Sequence, residues 1–374
     1  MASGIKGIIS LGVGESDFVT PWHIREASVY SLERGHTNYT PNSGLPELRQ
    51  QICRYLHKKF GLEYDYSQEI LITVGVSEAI DIALRCVLEP GDEVIIPEPC
   101  FVSYKPCTLM AGGAPKTVST QEANHFKLMP EDLEEAITDK SKVLLMSYPN
   151  NPTGAVMNRE ELEAVARIVE KHDLLVISDE IYSELNYNGD HVSFSSLPGM
   201  KERTVLLNGF SKSFAMTGWR VGYAAASEDI ISAMLKVHQY TIMCAPVMGQ
   251  MAAIEALKNG EEEVKRMKAH YDQRRNLIAN GLNQMGLSCF EPKGAFYVFP
   301  SIKSTGMNSL NFCEELLKEE KVAVVPGDAF GQCGEGYVRC SYAASMEQIT
   351  EALNRMERFL QRQQKQKKIF ALNN

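Results

Sequence analysis

Between residues 69 and 226, short apolar runs alternate with stretches whose apolar residues recur at helical spacing. Ile70-Leu71-Ile72-Thr73-Val74 leads into a predicted helix from Ser77 to Leu88, and Glu93-Val94-Ile95-Ile96 into a helical segment from Phe101. Lys142-Val143-Leu144-Leu145-Met146 precedes an amphipathic pattern over Asn158 to His172. Leu174-Leu175-Val176-Ile177, Thr204-Val205-Leu206-Leu207 and Val221-Gly222-Tyr223-Ala224 complete the series. Continuous apolar strands separated by helices predict an α/β fold with a mostly parallel sheet covered on both faces. In such sheets a ligand binds beyond the carboxyl ends of the strands.

Past residue 258 the pattern changes. Glu261 to Leu282 reads as a long helix with a charged, solvated face. Shorter pieces follow: Phe296-Tyr297-Val298-Phe299, a helix near Leu310 to Glu320, Val322-Ala323-Val324-Val325, Tyr337-Val338-Arg339-Cys340 and a closing helix from Ser345. They predict a smaller α+β lobe. With 374 residues the chain exceeds the usual size of a single core. The expected division is a large domain of residues 37–258 and a small one built from 1–36 and 259–374. The Gln- and Lys-rich stretch from Gln361 to Lys368 reads as a fraying helix end, its cations at the favourable terminus.

Composition narrows the function. Hydrophobic residues make up 44% and charged residues 23% of the chain, which excludes a disordered protein. A net charge of −9 argues against a nucleic-acid surface, which needs a basic stripe. Nine cysteines, with no Cys-x-x-Cys pair, suit a reducing compartment; Cys53, Cys86 and Cys244 fall in apolar helical patterns. Neither a signal peptide nor an apolar run of membrane-spanning length is visible, so the expected location is the cytoplasm.

The chemistry concentrates in Asn208-Gly209-Phe210-Ser211-Lys212-Ser213-Phe214-Ala215-Met216-Thr217-Gly218-Trp219-Arg220. A lysine among small and apolar residues loses its proton more readily than a solvated one and can form a Schiff base. An arginine eight positions on can hold a phosphate by a bidentate fork. Together they suggest pyridoxal 5'-phosphate. Solvent exposure is the plain alternative for any single lysine.

Other polar residues sit just past predicted strands. In Ser178-Asp179-Glu180-Ile181-Tyr182 an acid could pair with a protonated ring nitrogen, although Asp179 could equally cap a turn. Tyr148-Pro149-Asn150-Asn151-Pro152-Thr153-Gly154 is dense turn chemistry whose asparagine could also meet a phenolate oxygen. Val74-Gly75-Val76-Ser77 joins a strand to a helix amino terminus, a natural phosphate seat but a common turn.

Taken in order, these motifs resemble the class I/II aminotransferases of PLP fold type I, and in particular the bacterial and archaeal aspartate/aromatic aminotransferase branch. The likeness runs from Gly12-Val13-Gly14-Glu15-Ser16-Asp17-Phe18 to Val338-Arg339-Cys340-Ser341-Tyr342-Ala343. It implies a seven-stranded, mostly parallel sheet and transfer of the amino group of an L-amino acid, of the aspartate/glutamate or aromatic type, to a 2-oxo acid such as 2-oxoglutarate by a ping-pong mechanism. Lys212 would bond the cofactor and then move the substrate proton, and Asp179 would keep the pyridine nitrogen protonated. Asn151 and Tyr182 would hydrogen-bond its 3'-oxygen. Val76, Ser77, Ser211 and Arg220 would hold the phosphate, with Phe101 stacked on the ring. Arg339 would clamp the substrate carboxylate, assisted by Asn151 and the backbone near Gly14. Tyr39 would reach the neighbouring site of a homodimer. A carbon–sulfur β-lyase on the same core and a non-catalytic PLP-binding regulator are the alternatives.

The chain departs from the family's pattern at several points. Gly209 stands where many relatives carry a phosphate-binding serine, and Cys100 beside Phe101 where many carry a second aromatic that shapes the pocket. Ser16 replaces a proline, with a minor backbone effect expected. Ser3-Gly4-Ile5-Lys6 runs almost directly into Gly7-Ile8-Ile9-Ser10-Leu11-Gly12, leaving no room for the intervening helix usual in relatives.

Overall fold

The computed structural model describes residues 7–372, with side chains to residue 365. The expectation for Ser3 to Lys6 lies outside the described residues.

Seven strands form the main sheet: β2 (Ile70–Thr73), β3 (Glu93–Glu98), β4 (Ala114–Ser119), β5 (Ser141–Ser147), β6 (Leu175–Asp179), β7 (Thr204–Gly209) and β8 (Gly222–Ala225). Their spatial order is β2-β8-β7-β6-β5-β3-β4. Every neighbouring pair is parallel except the two that involve β8, which runs antiparallel to β2 and β7. Six of the strands follow the apolar runs to within two residues at either end. The seventh, edge strand β4, carries Lys116 and Thr117 and alternates little, so apolar patterning passes over it. Its side chains are mostly exposed or half-buried, whereas the opposite edge strand β2 is buried throughout.

Local signals set the helices. The helix α6 (Arg159–Lys171) starts at a capping box: the Asn158 side chain accepts from Glu161 N–H while the Glu161 carboxylate accepts from Asn158 N–H. Its buried residues Leu162, Val165, Ala166 and Val169 form one face at spacings of three and four. Cys53 and Cys86 lie in helices as expected, in α2 (Pro46–Phe60) and α3 (Gly75–Val87). Cys244 does not; it sits between α7 (Glu228–Thr241) and α8 (Val247–Asn259), where Pro246 interrupts the apolar run. All nine cysteines are free.

The segment before Trp22 pairs with the C-terminal part of the chain. The short β1 (Ile9–Ser10) pairs in parallel with β10 (Val322–Ala323), while β11 (Val325–Pro326), β12 (Val338–Ser341) and β9 (Tyr297–Val298) make a three-stranded antiparallel sheet. The run Val322 to Val325, read as one strand, thus serves two sheets. The helix α1 (Trp22–Glu33) leans on α8, with His23 Nδ1 2.8 Å from Glu255. The closing helix α11 (Met346–Leu372) continues through the stretch expected to fray. Arg362 and Gln363 reach Glu319, Glu320 and Glu315 on or beside α10 (Ser309–Glu320), so side-chain anchoring outlasts the apolar pattern.

Candidate active site

The parallel strands all deliver their following loops to one edge of the sheet. Because β8 runs the other way, its start lies at that edge too, and Arg220 joins the loops after β2, β3, β5, β6 and β7. There they line a cavity of about 410 Å³. Val76, Ser77, Phe101, Asn151, Asp179, Tyr182, Ser211, Lys212, Arg220, Gly14 and Arg339 all border it. Tyr39 stands apart, 82% exposed.

Lys212 projects from the loop after β7. Its Nζ donates to Gly14 O at 2.6 Å and lies 5.7 Å from the Phe296 ring centroid. Burial pushes its ammonium down to about 8; the nearby Glu15 carboxylate opposes this, and Arg339 and Arg220 reinforce it. Two non-glycine residues of the loop, Ala215 and Arg220, have positive φ, of 54° and 56°. Such conformations persist where the surroundings impose them. Here Thr20 Oγ1 donates to Ala215 O at 2.6 Å and accepts from Trp219 Nε1 at 3.0 Å.

Asp179 ends β6 inside the cavity. Burial raises its carboxyl to about 6, against hydrogen bonds from Tyr104 Oη (2.8 Å) and Ile181 N–H (3.2 Å), which pull it down. The adjacent Glu180 points the other way. Its carboxylate accepts from Ser178, Ser193 and Phe194 N–H and meets His191 Nε2 at 2.9 Å, so this acid of the motif builds structure.

Arg339, buried on β12, donates Nη1 to Asn151 Oδ1 at 2.9 Å and Nη2 to Gly12 O at 2.6 Å. Its guanidinium lies 4.5 Å from the Tyr297 ring centroid and 4.8 Å from that of Phe330. Tyr182 and Tyr297 share a 2.8 Å hydroxyl contact. Gly14 closes over that pair: a Cβ there would come 2.2 Å from Tyr297 Oη, so only glycine lets this segment lie where Lys212 and Arg339 grip it.

Three expectations change at this level. Gly209 does not face the cavity; a Cβ there would meet Gly222 Cα at 2.9 Å and Val221 O at 3.1 Å, which leaves no room for a serine. Cys100 is buried in the core, and Tyr104, the first residue of the helix Tyr104–Met110, shapes the wall beside Phe101 instead. Ser16 has more than a backbone effect, for its Oγ lies 2.7 Å from Tyr271 Oη and accepts from Phe18 N–H. Tyr297, Phe330 and Val325 also line the cavity. Tyr297 and Val325 stood out in the sequence only as members of apolar strands, which read equally well as core, and Phe330 as the last residue of the family's Pro-Gly-x-x-Phe motif.

Comparison with known proteins assigns this arrangement. The family described as aminotransferase class I and II matches residues 6–356. The chain belongs to the class I and II aminotransferases. It is 57% identical to the Bacillus subtilis protein YugH over 360 residues, covering 96% of this chain and 93% of that one. It is 47% identical to the aromatic-amino-acid aminotransferase 2 of Thermococcus litoralis, covering 96% and 93%. Among solved structures, the aromatic aminotransferase from Pyrococcus horikoshii superposes with a TM-score of 0.95 at 48% identity, covering 96% of this chain and 97% of that one. The aspartate aminotransferase from Thermus thermophilus with maleate gives 0.90 at 40%, covering 94% and 91%. This aminotransferase is a PLP-dependent enzyme of fold type I that acts on amino and oxo acids. Among its described residues, no helix is long and apolar enough to cross a membrane.

The cavity's donors fit the cofactor. Gly75, at φ 74°, lets the Arg220 guanidinium lie against the first turn of α3, where a Cβ would come 2.6 Å from Nη2. No side chain caps that turn, so its amides remain available to an anion. Among the described residues, buried Arg339 Nε has no hydrogen-bond partner, as expected of a group reserved for a ligand.

Proposed function

We propose that this aminotransferase moves the amino group of an L-amino acid to a 2-oxo acid such as 2-oxoglutarate by a ping-pong cycle, and that its preferred donors carry aromatic or apolar side chains. The observation that supports the activity is Lys212, an amine lowered to about 8 in a cavity whose other fixed charges are Asp179, Arg220 and Arg339. When bound, pyridoxal phosphate supplies an electron sink for the α-carbon of the amino acid. Arg220, with the amides of Val76 and Ser77 and the Ser211 hydroxyl, would hold its phosphate. Asp179 would keep a proton on its ring nitrogen, and Asn151 and Tyr182 would donate to its 3'-oxygen. Phe101 would cover the ring. Lys212 Nζ takes the proton from the substrate carbon and returns it, a role suited to an amine that titrates near neutrality. Arg339 holds the α-carboxylate by a bidentate pair.

Substrate preference follows from what remains. Lys212, Arg220 and Arg339 each have a task, and among the described residues no other lysine, arginine or histidine lines the cavity. Ile80, Phe101, Val102, Val325 and Phe330 offer apolar surface, which suits a phenyl or aliphatic side chain better than a second carboxylate. The proposal extends to a homodimer, with Tyr39 entering the partner's site; exposed Trp22, Tyr30, Tyr39 and Tyr240 supply apolar surface for it. It also keeps a cytoplasmic, biosynthetic setting and the division into residues 37–258 and 1–36 with 259–374.

An amino-acid panel tests the reading, with the cofactor's visible absorbance as readout. Phenylalanine, tyrosine and other apolar donors should shift the band at lower concentration than aspartate. Lys212→Ala should lose turnover. No response to any amino acid, or full activity in Lys212→Ala, would sink the assignment; a clear preference for aspartate would sink the substrate reading alone. Release of pyruvate and ammonia without an oxo-acid acceptor would point to the lyase.

A further inference from the structure

The turn at the start of α3 is held in an unusual way. Its N-cap residue is Val74, which has no side-chain acceptor. A serine or aspartate there would take an N–H of the first turn for itself. Glu78 instead reaches back and accepts from the N–H of Val74, at 2.5 Å. This satisfies the N-cap amide and leaves those of Val76 and Ser77 free. Two further bonds hold the same turn: Thr73 Oγ1 donates to Gly75 O at 3.0 Å, and Arg220 Nη2 to Val74 O at 3.5 Å.

Glu78 brings a difficulty with it. A carboxylate in the first turn competes with a phosphate for the same helix dipole and repels it. The structure contains a compensating group. His238, fully buried on α7, places Nδ1 2.6 Å from Glu78 Oε1. Among the described residues its Nε2 is buried without a partner, so Glu78 is the ring's one polar contact. No surface role explains a fully buried histidine directed at a carboxylate behind an anion seat.

We infer that Glu78 and His238 act as a positioning pair for the cofactor phosphate: Glu78 fixes the Val74–Ser77 turn, and His238 offsets the Glu78 charge that would otherwise oppose phosphate binding. Neither residue lines the cavity, so both act through the turn. The inference rests on the proposed assignment of Val76, Ser77 and Arg220 to the phosphate.

The test measures binding of pyridoxal 5'-phosphate and of pyridoxal, which lacks the phosphate, to protein stripped of cofactor. In His238→Phe the carboxylate, left without its ring partner, should weaken pyridoxal phosphate binding about tenfold, the upper range of charge effects at a helix terminus. Pyridoxal binding should not change. The double variant Glu78→Gln/His238→Phe, which removes the charge but keeps an acceptor for Val74, should recover most of the loss. Glu78→Gln alone covers the case in which His238→Phe does not fold, and should bind pyridoxal phosphate within about threefold of wild type. Equal losses for both ligands in His238→Phe, unchanged pyridoxal phosphate affinity, or no recovery in the double variant would overturn the pair's role. If Glu78→Gln is the variant that folds, a loss shared by both ligands does so. If wild type binds the two ligands equally, the assignment of the phosphate seat itself falls.

Discussion

Removing the Tyr104 hydroxyl isolates one contribution to the state of Asp179. In Tyr104→Phe the ring still fills its buried site, and what is lost is the 2.8 Å donation to Asp179 Oδ2 together with the hydroxyl's bond from Ser147. Burial already lifts this carboxyl to about 6, and the Tyr104 hydrogen bond is the largest influence holding it down. A hydrogen bond to a charged group contributes about 1.5–3 kcal/mol. The protonated acid would accept part of the same bond, so the difference between the two forms is nearer the lower figure. At about 1.4 kcal/mol per pKa unit, Asp179 should move from about 6 to about 7. Titration of the cofactor-free protein by carbon NMR of labelled aspartate would read the shift directly. In the loaded enzyme the smaller ionised fraction should lower kcat about twofold at pH 7, with the acid limb of the pH–rate profile moved to higher pH by about one unit. An Asp179 midpoint that stays in place, or falls, would refute the view that Tyr104 keeps this acid ionised.

Three more expectations follow from the same geometry. In Asp179→Asn the cofactor-free protein should be more stable than wild type at pH 7.5. The folded carboxyl, at about 6, lies above the unfolded value near 3.9, so ionised Asp179 opposes folding by up to about 3 kcal/mol above pH 6. That advantage should shrink through the window from pH 6 to 4 and vanish below it; equal melting temperatures at pH 7.5 would contradict the burial argument. Lys212 in the cofactor-free protein should react with an aldehyde reagent at a rate that climbs with pH to a midpoint near 8, whereas a midpoint above 10 would mean that its burial has no electrostatic effect. Arg339→Lys should raise KM for every amino acid by a common factor of about 10–100, since a point charge replaces a bidentate fork; a loss selective for one side chain would show that Arg339 reads more than the α-carboxylate.

Six strands were legible because their positions are almost all buried, edge strand β2 included, which forces an uninterrupted apolar run. Edge strand β4 escaped because its side chains are mostly exposed or half-buried, unlike those of the opposite edge strand β2, so mixed residues such as Lys116 and Thr117 suffice. Lys212, Asp179 and Arg220 were visible as polar residues in strand-end motifs. Tyr104 and Tyr297 were not, because an aromatic in a helix or strand has the same one-dimensional signature whether its hydroxyl meets a carboxylate or packs unseen. Gly209 was legible only as the absence of a serine; the reason for that absence, the close approach of Gly222, is tertiary.

Sequence alone therefore determined the α/β frame, the family and the residues able to bear charge at the sheet's edge, since these follow from periodicity and from residue type. Only the tertiary structure decided how those charges behave. The lowered amine of Lys212 and the raised carboxyl of Asp179 arise from burial and from partners far away in the chain, among them Glu15, Arg339 and Tyr104. Likewise His238 lies 160 residues from Glu78, and their contact exists because α7 packs against α3. Desolvation and long-range pairing depend on what surrounds a group in space, and no local pattern records it.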